Sequence, residues 1–387
     1  MSDLKKSFYC SQKFTWLSVD LEKSVLYSCC NATAEKINMT WLTKNSGQLF
    51  NTPTLIQERQ QMLLDQPVTS CYKSCWEPES KNLSSRRTQL KTTEKTHTEL
   101  TVDNPEILNI ILGTTCNLTC VYCCKQYSSS WFKDIASNGS YLDHPRFVLT
   151  EQEKILSKLS QVEIENSGHY QTLLNELTKF ENIKEVHITG GEPFLYNNLH
   201  ALLENLHSID KISIATGLGV NNKRFQRLLE KIQDKSKIAL HISAENIDKS
   251  YEFNRYGNSW KNFNDNLNYL LDNKFPVEFR SVLSNLTLFG LLDFYNKFQN
   301  FDILYIYCRD PDFLSPNVLD DTSKAQLTET IVNSSISNKQ SIIDTINQPC
   351  SEQQRQNLSV YLKEFASRRQ LSLDIFPKNL LQWLNLT

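Results

Sequence analysis

The stretch "TTCNLTCVYCCKQ", Thr114 to Gln126, holds four of the chain's eleven cysteines within nine residues. Cys116, Cys120 and Cys123 follow a C-x3-C-x2-C spacing, and Cys124 comes directly after. Three thiolates on one tight loop can grip three corners of a cubic iron–sulfur cluster, whereas an ordinary electron-transfer cluster takes four. Three ligands leave one iron open, as catalytic metal sites keep an open position. Two bland readings compete: a structural zinc site, which normally uses two separated pairs, and a chance group of inert core cysteines. Adjacent loop cysteines point in different directions, so Cys124 reads as packing and not as a fourth ligand.

Around this stretch, short apolar runs alternate with amphipathic ones. Strand-like runs occupy 107–113, 185–189, 211–216, 237–243, 276–283 and 302–308. Helical patterns lie between them: TEQEKILSKLSQ behind a Thr150 to Glu153 capping box, then LHALLENLH, FQRLLEKIQ, WKNFNDNLNYLLDN and LFGLLDFYNKF. Such alternation predicts an α/β fold of consecutive β/α units with parallel strands. Six units suit a partial (β/α)6 TIM-like barrel, short of the closed eight. In such barrels the chemistry collects at the C-terminal ends of the strands, where the cysteine loop falls. The polar, basic segment from Lys81 to Asn104 predicts a boundary, giving a small cysteine-rich α+β domain over 1–100, the barrel over 101–322 and a helical extension over 323–387.

Composition sets the outer limits. A 40% hydrophobic, 22% charged chain is ordinary for a globular protein, and 41 basic against 43 acidic residues give no electrostatic footprint for nucleic acid. No run approaches the ~18 apolar residues of a membrane span, and the first residues lack an apolar leader core. The expectation is a soluble, cytoplasmic protein. In that compartment thiols stay reduced, so clustered cysteines argue for metal or catalysis over disulfides.

With both the spacing and its place after the first strand in view, the sequence resembles the radical S-adenosylmethionine (SAM) superfamily. Its signature is C-x3-C-x2-C with an aromatic before the last cysteine, here Tyr122. At the end of the second strand "TGGEP", Thr189 to Pro193, resembles the family's SAM-binding segment. There Gly190 and Gly191 let backbone approach a ligand and Glu192 can accept from an ammonium, and the resemblance places Pro193 among the cofactor-binding residues as well. For these residues taken alone, a plain β/α turn is the alternative. The resemblance implies a 4Fe–4S cluster on Cys116, Cys120 and Cys123, with SAM chelating the open iron through its amino and carboxylate groups. An external flavodoxin- or ferredoxin-like donor would supply the electron, and a 5′-deoxyadenosyl radical would abstract a substrate hydrogen. In "HISAENIDKSYEFNRYG", Ser243 and Arg255 resemble the residues that hold SAM's ribose and carboxylate in the peptide-modifying branch. Glu245 is a further ribose candidate and Arg280 a SAM-contact candidate; capping, surface or acid-paired roles are the alternatives. Cys308, ending the sixth strand, is either a substrate-radical quencher or a packed strand cysteine. The histidines show no ligand spacing.

The N-terminal cysteines form a second group. Cys10, Cys29, Cys71 and Cys75 resemble an auxiliary iron–sulfur module of SPASM or twitch type, in which a hairpin and a following helix supply four thiolates. Where the usual module has glycine, this chain has Ser24. A closed Zn(Cys)4 site is the alternative. "SSRR", Ser84 to Arg87, is either a solvated linker or a clamp for an anionic group. The resemblance favours a peptide or protein substrate, with small molecules such as deazapurine precursors open. The contrasting class is a non-catalytic iron–sulfur or zinc protein.

Overall fold

The computed structural model describes residues 7–80, 85–151, 153, 161–206, 209–232 and 234–387. Most of the helix expected over 150–161 lies outside these residues, as does Ser84. The capping box is present at its start: the Glu153 amide donates to Thr150 Oγ1 at 3.2 Å, and the Thr150 amide donates back to the Glu153 carboxylate at 2.8 Å.

Among the described residues eleven strands follow one another: β1 (Trp16–Asp20), β2 (Val25–Tyr27), β3 (Glu35–Lys36), β4 (Ile107–Ile111), β5 (Thr119–Cys120), β6 (Glu185–Thr189), β7 (Ile212–Thr216), β8 (Ile238–Ser243), β9 (Arg255–Tyr256), β10 (Val277–Leu283) and β11 (Ile303–Tyr307). Each of the six strand-like runs in the sequence is one of them; 185–189 keeps its bounds as β6 and the other five are trimmed by one or two residues. The chain divides into two compact units.

The first unit comprises 1–113, 160–190 and 197–214. In it β1, β4, β6 and β7 run parallel in adjacent positions, and β2 and β3 extend the β1 edge antiparallel. Alternation decides the packing. Leu17, Val19, Leu108, Ile110, Val186 and Ile188 face one way and are fully buried. The opposite face carries a polar row in register, Ser18, Asn109, His187 and Ser213. Across the polar segment expected as a boundary, β1 is an inner strand, buried along its whole length and paired with β4 over five residues. The polar linker hid this, because parallel pairing between distant strands leaves no local trace in composition.

The second unit comprises 114–159, 191–196 and 215–387. Here β8, β10 and β11 form a parallel sheet in that order, and the two-residue strands β5 and β9 pair antiparallel. An aromatic group of Trp131, Tyr141, Phe147, Tyr361 and Phe365 fills the core beside the cysteine loop. Tyr361 and Phe365 come from the long C-terminal helix Glu352–Arg369, whose capping box at Ser351 and Gln354 starts it. None of the described helices is long and apolar enough to cross a membrane.

Because Leu17 is buried between two neighbouring strands, truncating it should be felt by the whole first unit. Leu17→Ala is expected to lower unfolding free energy by about 2–5 kcal/mol in chemical denaturation; a loss near zero would mean that β1 is a dispensable attachment.

Candidate active site

The cysteine loop is held at nearly every turn. Ser129 Oγ accepts from the Cys116 amide, and Ser130 Oγ donates to the Cys116 carbonyl. The Ser128 hydroxyl donates to the Leu118 carbonyl, and the Trp131 indole donates to that of Cys120. From the C-terminal helix, Tyr361 donates to the Val121 carbonyl and Arg369 to Thr119 Oγ1. Gly257, at φ +107°, lets backbone pass: a Cβ there would lie 2.7 Å from the Asn117 carbonyl oxygen. The C-terminal segment, from which the sequence offered no site signal, thus clamps the loop.

Within this frame Cys116, Cys120 and Cys123 come together. Burial pushes the Cys116 thiol up to about 12, with the Cys120 charge next in effect. Burial also raises Cys120 and holds Cys123 well above the usual thiol range, with Cys120 and Cys116 adding to the latter. Sulfurs that resist ionisation through burial and mutual repulsion, with one cation beside them, fit a cationic metal core that draws them into the thiolate form. That cation is Arg255, whose Nη1 stands 3.8 Å from Cys120 Sγ. Among the described residues no three His, Cys, Asp or Glu side chains converge as ligands of a single ion; a cubic cluster spreads its thiolates over separate corners.

Arg255 is buried and tied to Glu245, with Nε on Oε2 at 2.9 Å and Nη2 on Oε1 at 2.6 Å. The Tyr122 hydroxyl donates to the same Oε1 at 2.7 Å, and the Val282 amide does so at 3.3 Å. Glu245 is therefore taken up by protein donors, and two of the Arg255 nitrogens are occupied. The aromatic of the cysteine signature sits under this pair, with the Arg255 guanidinium 5.5 Å over its ring.

The glycine-rich segment packs by backbone. At Gly190, φ +134°, a Cβ would lie 2.8 Å from the Gly113 carbonyl oxygen; at Gly191 it would meet the Thr115 carbonyl oxygen at 2.2 Å. Glu192 caps the short turn Pro193–Leu195 and accepts from Thr216 Oγ1 at 2.8 Å and the Gly217 amide at 2.9 Å. Burial pushes its carboxyl up to about 7 against these bonds. With Thr216 reaching both oxygens, the Gly217 amide on Oε2 and the Phe194 amide on Oε1, the carboxylate is taken up by protein donors. Ser243 ends β8, and its hydroxyl has no partner among the described residues. Arg280, its register neighbour on β10, is bound to Glu278 at 2.6 Å and His241 at 3.1 Å, the acid-paired alternative. Cys124 is fully buried in the core, and Cys308 packs there too, its thiol pushed up to about 12 by burial.

In the first unit Cys10, Cys29, Cys71 and Cys75 line one small cavity. Cys71 precedes the π-helical turn Tyr72–Trp76, and Cys75 lies in it. Cys29, not the exposed Cys30, faces the cavity; the neighbouring Cys30 holds the Cys29 thiol below the usual range. Ser24 takes the left-handed φ of +51° that glycine adopts most readily, and its carbonyl accepts from the Ile37 amide. The polar row was missed in the sequence: His187 Nδ1 lies 2.5 Å from Ser213 Oγ, a pairing visible only once strand register is known.

Residues 110–291, the stretch bearing the cysteine loop, match the family model described as the Radical SAM superfamily. No curated protein matches the chain. Among solved structures, anSMEcpe with bound AdoMet is 17% identical over 59% of this chain and 59% of its own, at a TM-score of 0.35. Streptococcus suis SuiB bound to precursor peptide SuiA is 14% identical over 94% of this chain and 71% of its own, at 0.33. TYW1 with a lysine-pyruvate adduct bound is 17% identical over 59% of this chain and 74% of its own, at 0.30. The chain thus spans 59% of the length of the anSMEcpe chain.

Glu192 gives this site a pH signature. Its carboxyl titrates near 7 when folded against an ordinary 4.5, so the folded state holds the proton more tightly. Stability from this group is full below about pH 4.5 and is lost as pH rises through about 7. Denaturation of Glu192→Gln between these pH values should lack that decline; a decline equal to wild type would place the titration elsewhere.

Proposed function

We propose that the chain is a radical SAM enzyme, with a 4Fe–4S cluster on Cys116, Cys120 and Cys123 and SAM between that loop and the segment Gly190 to Pro193. The observation that carries this reading is the clamped loop that brings the thiols of Cys116, Cys120 and Cys123 within mutual influence inside the matched stretch. When bound, the cluster supplies the electron that cleaves the sulfonium of SAM to a 5′-deoxyadenosyl radical.

The chain's own residues prepare that site. Gly190 and Gly191 let their segment pack backbone to backbone against Gly113 and Thr115, and Glu192, held by Thr216 and the Gly217 amide, keeps the turn that faces SAM rigid. Ser243 offers a free hydroxyl to the ribose. Arg255, tied to Glu245 and Tyr122, steadies Cys120 and keeps Nη1 on the cluster side. It therefore acts here as a positioning residue more than as a carboxylate grip. An external flavodoxin- or ferredoxin-like donor delivers the electron. Cys10, Cys29, Cys71 and Cys75 hold an auxiliary iron–sulfur centre, and the substrate is a peptide or protein.

Protein loaded anaerobically with iron and sulfide, then given dithionite and SAM, should yield 5′-deoxyadenosine by chromatography. Cys120→Ala should yield none, and Cys75→Ala should still cleave SAM. A fully loaded wild type that makes no product would sink the reading.

A further inference from the structure

The cavity shared by Cys10, Cys29, Cys71 and Cys75 has three basic side chains in its wall, Lys13, Arg86 and Arg87. Two of them are matched by carboxylates. Lys13, buried, pairs with Glu58, and Arg87, also buried, lays Nε and Nη2 on the two oxygens of Glu79. Arg86 is different. Its guanidinium forms no ion pair among the described residues, and its Nε is buried with no hydrogen-bond partner. It stands 5.9 Å over the Trp16 ring, which supplies no acceptor oxygen. Gln12, in the same wall, has a buried Oε1 that is likewise unpartnered. Buried polar atoms are normally satisfied, so two orphans in one cysteine-lined wall mark a place where a bound group completes the structure. Ser84 to Arg87, read from sequence as a linker or an anion clamp, therefore ends in two arginines that face the cysteines.

We propose that Arg86 is the charge partner of the metal centre held by Cys10, Cys29, Cys71 and Cys75 and that it sets the reduction potential of that centre. The inference rests on reading those cysteines as ligands of an iron–sulfur cluster. Four thiolates outweigh the positive charge of such a core, and taking up one electron from an external low-potential donor adds another negative charge without making or breaking a bond. A fixed cation stabilises the more negative state, and it does so strongly where water is scarce and the local dielectric low. Lys13 and Arg87 contribute less, since each already faces a carboxylate. Arg86 is thus a positioning residue acting through charge.

The test is a redox titration of the full-length, iron- and sulfide-loaded protein with dithionite, followed by electron paramagnetic resonance. Wild type, Arg86→Gln, Arg86→Lys and Cys75→Ala are compared, and the signal missing from Cys75→Ala identifies the N-terminal centre. At the wild-type midpoint potential, Arg86→Gln should lower the reduced-to-oxidised ratio of that centre about tenfold, which is about 59 mV for one electron. Arg86→Lys should restore it, and the second signal should stay in place. Arg86→Met serves as a second neutral variant. An unchanged midpoint in a fully loaded neutral variant overturns the proposal, as does zinc at the site or the failure of both neutral variants to hold metal. Identical metal content and spectra in wild type and Cys75→Ala would overturn the four-cysteine reading itself, an outcome separable from a midpoint that does not move.

Discussion

Glu245 and Arg255 are joined by two hydrogen bonds in a place that water does not reach. Removing two charges from water is costly, and only good geometry with further hydrogen bonds compensates it. Both conditions are met: the fork is bidentate, and Tyr122 and the Val282 amide use the remaining capacity of the carboxylate. The pair joins the end of β8 to β9, and β9 in turn ladders with β5, which contains Cys120. One ion pair therefore fixes the cysteine loop to the parallel sheet of its unit and places a guanidinium against the Cys120 thiol. Losing either partner would leave a bare buried charge, typically a loss of about 3–5 kcal/mol.

The same geometry explains what the sequence disclosed and what it withheld. The three-cysteine group was legible because Cys116, Cys120 and Cys123 lie within eight residues, so their spacing is visible locally. The strands β4, β6, β7, β8, β10 and β11 were legible because apolar runs bounded by turn residues report local backbone preference. Arg255 and Glu245 were both singled out in the sequence, but their mutual pairing was not legible, since a contact across ten positions of loop and helix has no periodic signature. Tyr361 and Arg369 were invisible for the same reason, more than two hundred residues from the carbonyl and hydroxyl they bind.

The N-terminal hundred residues teach a different lesson. Their cysteines could be grouped from sequence, and Cys29 is separated from Cys30 by a single structural fact, which side chain faces the cavity. Their attachment could not be read. A polar linker suggested a break, yet β1 pairs with β4 in the same sheet, so the cysteine cavity belongs to a unit that also contains the first strands of the matched stretch. The left-handed Ser24 shows how a turn tolerates a residue other than glycine when the flanking strands hold it.

The central claim is that the three-cysteine loop leaves one iron for SAM. It is tested most directly by electron–nuclear double resonance on the reduced, loaded protein with SAM labelled at its amino nitrogen. The account predicts a hyperfine coupling from that nitrogen to the cluster in wild type. A cluster carrying four protein ligands, with bound SAM showing no coupling, would contradict it.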